Sequence, residues 1–222
     1  MADGGLILSH GEDGPAALLG EWLAERGVAF EVVDVSREPL PALGEPLFVA
    51  SLGAEQSAKA SDPPWIAEEV ALLARAVDAD VPVLGLCFGG QALSLALGGD
   101  VAAASPPQIG WFELLDVSEG IAAGPWFHWH YEQLSVPPGA RELARSAAGP
   151  AAFRAGRHLG VQFHPEVTVE VIAAWARSQD QLERLGVSAA ELVEESRRRA
   201  PLARQDAWRL FAMWWEGAGL GV

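Results

Sequence analysis

The sequence predicts an α/β fold: a mostly parallel central sheet flanked by helices, with a small antiparallel strand set. Three observations in this chain of 222 residues predict it. Up to Asp100, apolar strand-like runs alternate with stretches of helical period, the pattern of parallel βαβ units. Past Asp100 the pattern changes to short strands joined by Gly/Pro-rich turns. Three helical stretches then close the chain.

In order, Leu6-Ile7-Leu8 reads as a short buried strand, followed by a glycine-rich break at Gly11 to Gly14. Pro15 suits the first turn of a helix reaching about Arg26, with Leu18/Trp22 and Leu19/Leu23 spaced as i,i+4 pairs. Gly27 ends that helix, and Phe30 to Val35 is the next strand. Leu47 to Ala50 is another. Ile66, Val70, Leu73 and Val77 follow at helical spacing, and Val81 to Leu86 forms the strand that runs into Cys87. Ala92 to Leu97 is helix-like. Gly110 to Leu115, Pro125 to His130, Ala151 to Arg154 and Leu159 to Phe163 are the short strands. Val169 to Ser178, Ala189 to Arg199 and Arg204 to Glu216 are the closing helices. No repeat, low-complexity tract or linker interrupts the chain, so residues 1–222 read as one domain with a C-terminal helical extension at about 180–216.

Half of the residues (50%) are hydrophobic, enough for a sizeable core without metal or disulfide staples. The net charge of −15 argues against nucleic acid and against an anionic membrane surface as partners. The start, Met1-Ala2-Asp3-Gly4-Gly5, lacks a basic segment followed by a long apolar stretch, so no signal peptide is expected. No apolar run approaches the roughly 20 residues a membrane helix needs. With a single free thiol as well, the expectation is a soluble cytoplasmic protein.

The one cysteine sits in Val83-Leu84-Gly85-Leu86-Cys87-Phe88-Gly89-Gly90-Gln91. G-x-C-x-G is the thiol version of the G-x-S-x-G elbow, a tight strand-to-helix turn that exposes a nucleophile. Gly85 and Gly89 leave room for that turn. A thiol nucleophile needs a base, and the base an orienting group. Val161-Gln162-Phe163-His164-Pro165-Glu166 supplies both: Val161 and Phe163 alternate as in a strand, which puts His164 at a strand end. Pro165 stops the strand and lets Glu166 fold back onto the imidazole, selecting its tautomer and supporting the imidazolium. A helix N-terminus and an imidazolium both favour the thiolate form of a neighbouring thiol. Taken singly, Cys87 could be a small buried hydrophobe and His164 a structural histidine. Their combination with Glu166 and Gly-Gly-Gln argues for chemistry.

G-L-C-F-G-G-Q together with V-Q-F-H-P-E resembles the class I glutamine amidotransferases, whose fold is flavodoxin-like. The likeness covers most of the chain. Leu97-Gly98-Gly99-Asp100-Val101 resembles the family's L-G-G-x-V. Gln108-Ile109-Gly110-Trp111, His128-Trp129-His130 and Pro137-x-Gly139-Ala140 resemble the e-I-G-W, H-W-H and P-x-G-A of its free-standing members, which are similar to the amidotransferase of GMP synthase and to γ-glutamyl peptidases. The resemblance implies a catalytic triad of Cys87, His164 and Glu166, an oxyanion hole from the amides of Phe88 and Gly53, and substrate contacts from Gln91, Trp129 and His130. The family's G-G-P turn reads Ser51-Leu52-Gly53-Ala54 here, so only Gly53 matches, and its H-G-D reads His130-Tyr131-Glu132. On their residues alone, His128 and His130 read as groups shaping the pocket rim or core, and His10 and His158 as structural or surface groups.

The resemblance implies hydrolysis of glutamine through a γ-glutamyl thioester, with ammonia passed to a separate synthase. The alternatives are a free-standing hydrolase of γ-glutamyl peptides or amides, and a non-catalytic regulatory or binding subunit. The expected partners are a glutamine or γ-glutamyl substrate, a synthase or acceptor subunit and a second copy of the chain. No cofactor is implied. No metal is expected either, because no Cys/His cluster has zinc spacing. Nine tryptophans leave a choice for the last helix, where Trp208, Phe211 and Trp215 form one stripe and Leu210 and Trp214 a second: core packing, or a docking surface. Arg197-Arg198-Arg199 reads as a solvated face.

Overall fold

Parallel pairing of consecutive strands puts the helices that connect them on the two faces of one sheet. The computed structural model describes residues 4–177 and 179–221. The expected leaderless start at residues 1–3 and the expected helix end at Ser178 lie outside the described residues. In chain order the elements are β1 (Gly4–Ser9), α1 (Ala17–Glu25), β2 (Ala29–Asp34), β3 (Val49–Ser51), α2 (Trp65–Asp78), β4 (Val83–Leu86) and α3 (Phe88–Ala96). There follow β5 (Val101–Phe112), β6 (Trp126–Leu134), β7 (Arg141–Ser146), β8 (Gly149–Ala155), β9 (His158–Val161), α4 (Val169–Trp175), α5 (Gln179–Arg184) and α6 (Ala189–Gly217).

Seven strands form one sheet in the order β2-β1-β3-β4-β9-β8-β7. The run from β2 to β9 is parallel, and β8 and β7 continue it antiparallel. β5 and β6 pair antiparallel in a separate two-stranded sheet. This is the α/β architecture expected from the sequence. The unbroken apolar run of β1 is explained by burial on both faces: Ile7 joins the layer of α1 and α6, with Trp22, Phe48, Phe211 and Trp214, while Leu6 and Leu8 join that of α2 and α3, with Ile66, Leu73 and Leu93. A third apolar cluster packs Ile109 and Phe127 of the small sheet against Ile172 of α4 and Leu192 of α6.

The later elements depart from expectation. β5 begins at Val101, nine residues before the expected Gly110, and carries Pro106 and Pro107. Because β5 pairs only with β6, the missing proline N–H groups break no central ladder; the register shifts there, between Ala103 and Gln108. β7 was not expected: its exposed Arg141 and Arg145 mask the buried Leu143, Ala144 and Ser146 of an edge strand. α6 is one helix where two were expected, running through Pro201. Pro201 is exposed, so its ring meets solvent, while the buried face resumes at Asp206 and Ala207. Both stripes of its C-terminal half are taken up inside the chain: Leu210, Phe211 and Trp214 are buried, and the half-buried Trp208 donates to Glu25 of α1 at 3.0 Å. Among the described residues no helix is long and apolar enough to cross a membrane.

Candidate active site

The C-terminal ends of β1, β3, β4 and β9, adjacent in the sheet, deliver the residues of the site, as open parallel sheets do. β4 ends at Leu86 and α3 begins at Phe88, leaving Cys87 alone to make the turn with φ 52° and ψ −105°. That backbone is strained for a residue with a side chain, by roughly 1–3 kcal/mol, and tight surroundings maintain it. The Cys87 N–H donates to Val161 O at 2.9 Å. A Cβ on Gly85 would stand 2.4 Å from Gly89 O, and one on Gly89 would stand 2.0 Å from Ser51 O, so neither position admits a side chain. Phe88 is the first residue of α3, where helix N–H groups lack intrahelical partners.

His164 leaves the sheet three residues after β9, its N–H held by Phe127 O at 2.8 Å. Glu166 lies beyond Pro165 and folds back: its Oε1 is 2.8 Å from His164 Nδ1, and its carbonyl accepts from Leu18 of α1 at 2.9 Å. The imidazole and carboxylate are buried, with side-chain exposures of 3% and 4%. Burial alone would push the His164 pKa down. The Cys87 sulfur and then the Glu166 carboxylate outweigh it and raise the imidazole to about 10, stabilising the imidazolium. Trp175 closes over the ring edge-on, with centroids 4.9 Å apart.

Gly53 packs against the His164 ring, where a Cβ would come 2.7 Å from Cε1. The structure brings Cys87, His164, Gly53 and Phe88 together. Gln91 faces the same interior, but its Nε2 is committed to Glu132 O at 3.1 Å and Gln162 Oε1 at 3.4 Å. The Trp129 carbonyl lies 3.8 Å from Cys87 Sγ. His130 spends both ring nitrogens internally, on His128 Nδ1 at 3.1 Å and Glu132 O at 2.9 Å. Burial, with an added push from the His164 charge, lowers His130 to about 4.

Three polar residues at the site were given no role by the sequence. Gln162 reaches Cys87 Sγ with its Nε2 at 3.8 Å, while its Oε1 accepts from Leu134 N at 2.9 Å. Its place in V-Q-F-H, between two buried strand residues, was the available clue. His10, expected to be structural or on the surface, has a fully buried side chain beside the Gly53 turn, paired with Glu69 of α2. Glu69 stands out only as a carboxylate on a helix face otherwise made of Trp65, Ile66, Leu72, Leu73 and Ala76.

The family model for glutamine amidotransferase class-I matches residues 23–174. The GMP synthase [glutamine-hydrolyzing] of Aeropyrum pernix is 34% identical over 162 residues, covering 68% of this chain and 31% of that protein. That of Allorhizobium ampelinum is 31% identical over 180 residues, covering 74% of this chain and 33% of its own length. The chain thus spans about a third of these curated relatives. Among solved structures, a glutamine amido transferase from Methylobacillus flagellatus superposes with TM-score 0.89 at 28% identity, over 98% of this chain and 96% of that one. A glutamine amidotransferase from Thermotoga maritima superposes with TM-score 0.84 at 24% identity, covering 96% and 99%, and shares the fold.

Proposed function

The chain belongs to the class-I glutamine amidotransferases, and from that premise we propose that it hydrolyses the γ-carboxamide of glutamine at Cys87 and releases ammonia for a synthase. One observation carries this reading: Cys87, alone in the strained strand-to-helix turn, shares its site with a buried imidazole that a carboxylate holds at 2.8 Å. An imidazolium paired with a thiolate is the resting state such chemistry needs.

Cys87 Sγ attacks the amide carbon, and the carbonyl electrons move onto oxygen. The N–H groups of Gly53 and Phe88 receive that oxyanion. As the tetrahedral intermediate collapses, the C–N bond breaks and His164 gives its proton to the leaving nitrogen, which departs as ammonia. The neutral imidazole then takes a proton from water as the water's oxygen attacks the γ-glutamyl thioester. Glutamate leaves and Cys87 is restored as the thiolate beside the imidazolium. Glu166 holds the His164 Nδ1–H throughout, keeping Nε2 free for proton transfer. Gln91 and Trp129 line the approach, and His130, neutral and internally bonded, shapes the pocket behind them.

The test measures ammonia from glutamine, and amine from γ-glutamyl peptides, for the chain alone. Cys87→Ala is expected to abolish ammonia release while the protein remains folded. Residual release at the wild-type rate would overturn the reading, and amine release in place of ammonia would move it to γ-glutamyl peptides. Loss of one oxyanion donor should cost roughly 3 kcal/mol in the barrier, about a hundredfold in rate.

A further inference from the structure

Behind the Gly53 turn lies a second buried acid–imidazole pair, which the hydrolysis itself does not use. His10, the residue after β1, places Nδ1 2.9 Å from Gly53 O and Nε2 2.8 Å from Glu69 Oε2. Both side chains are fully buried. A carbonyl only accepts, so Nδ1 carries a proton and Nε2 faces the Glu69 carboxyl group. Ser51 Oγ donates to the other Glu69 oxygen at 2.6 Å, which leaves the carboxyl little freedom to turn. The imidazole is held between Trp65, stacked at 4.9 Å and 28°, and Phe88, at 4.8 Å and 61°.

One ring thus touches both residues proposed to bind the oxyanion, the carbonyl of Gly53 and the side chain of Phe88. The two peptides flanking Gly53 are separately tied. The Leu52 carbonyl accepts from Gly89 N–H at 3.0 Å, and the Gly53 carbonyl accepts from His10. A glycine has the freest backbone of any residue, and tying both peptides removes that freedom where the N–H must be aimed.

We propose that His10, oriented by Glu69, is a positioning residue that fixes the peptide following Gly53 and, together with the Leu52–Gly89 bond on the peptide before it, holds Gly53 so that its N–H is aimed at the oxyanion before substrate arrives. This rests on the hydrolysis at Cys87 set out above. It also assigns Glu69 a role that its helix position alone would not suggest.

The experiment compares kcat and KM for glutamine in wild type, His10→Ala, His10→Asn and Glu69→Gln. Alongside, it measures alkylation of Cys87 by iodoacetamide, which needs the thiolate but no oxyanion hole. Asparagine keeps an N–H near the place of Nδ1. Glutamine at 69 can donate to Nε2 and accept from Ser51, preserving the orientation without the charge. In His10→Ala, kcat is expected to fall about ten- to a hundredfold, the scale of a misplaced oxyanion donor, with KM little changed. His10→Asn and Glu69→Gln should recover most of the rate, and alkylation should proceed at the wild-type rate in all four proteins. A wild-type kcat in His10→Ala overturns the proposal. So does an equal loss in His10→Asn, which would mark a packing role, or alkylation that falls in step with kcat. A wild type that turns over no γ-glutamyl substrate defeats the parent reading alone. The lock is then judged by the 13C shift of the Gly53 carbonyl, expected to move in His10→Ala and to hold in His10→Asn; a shift unmoved in His10→Ala overturns it.

Discussion

His164 and His130 lie in one buried region, yet their protonation is pulled in opposite directions, because each ring meets different partners. Burial works against the charged form of both. At His164 the Cys87 sulfur and the Glu166 carboxylate overcome burial, and the pKa rises to about 10. At His130 no carboxylate compensates and the His164 charge adds to the penalty, so the pKa falls to about 4. His128, beside it, is lowered by burial and by the charges of His130 and His164. The two directions have opposite signs in stability. The His164 contribution is complete below its unfolded pKa of roughly 6.5 and is lost as pH rises toward its folded value. The contribution of neutral His130 is complete above that unfolded value and is lost as pH falls toward its folded one. Urea unfolding should therefore show stability declining from about pH 6.5 to about pH 4, with up to roughly 1.4 kcal/mol per pH unit from each of His128 and His130. His130→Asn should flatten this slope, and an unchanged slope would show that the ring is not held neutral. Cys87→Ala should lower the His164 pKa, followed by 15N NMR of the imidazole; an unmoved titration would contradict the pairing.

At the scale of elements, the turn from β4 to α3 and the long α6 show how context overrides local preference. Cys87 adopts φ 52° because β4, β9 and α3 surround it, and the close approach of Ser51 to Gly89 permits no Cβ. Gly89→Ala should push the α3 terminus off β3, destabilise the fold by about 1–3 kcal/mol and remove Cys87 reactivity, read by thermal unfolding and alkylation. Full reactivity in a folded Gly89→Ala protein would show that the turn tolerates displacement. In α6, Pro201 is a poor helix residue kept in a helix by packing on both sides of it. Its exposed position predicts that Pro201→Ala adds up to about 3 kcal/mol in urea unfolding. A loss of stability would mean that the packing of α6 depends on the proline. The sequence pattern ends one helix at Arg199 and begins another at Arg204, and the structure joins them through Pro201 because the buried face continues on both sides. It misses β7 because the charged outer residues of an edge strand conceal the alternation beneath.

Across the whole molecule, two aromatic-rich layers clamp the central sheet. Trp214 of α6 meets Phe48 of the sheet layer edge-on at 5.4 Å and is fully buried. Trp214→Ala should cost about 3–5 kcal/mol, measured by chemical unfolding, with the Cys87 end of the sheet still assembled; a negligible cost would mean that α6 is an appendage. The sequence by itself determined the alternation of strands and helices, the parallel core, the elbow at Cys87 and the strand-end His164-Pro165-Glu166. These are local signals of period, glycine spacing and proline, written in neighbouring residues. Only the tertiary structure decided which distant groups meet: Gly53 against the His164 ring, Gln162 at the thiol, and the His10–Glu69 pair behind the Gly53 turn. Those contacts join strand ends separated by tens of residues, and a single buried His or Glu has no period to announce it. Sheet order brings them together, because side chains from adjacent parallel strands end in one crevice, where burial makes each polar group find a partner.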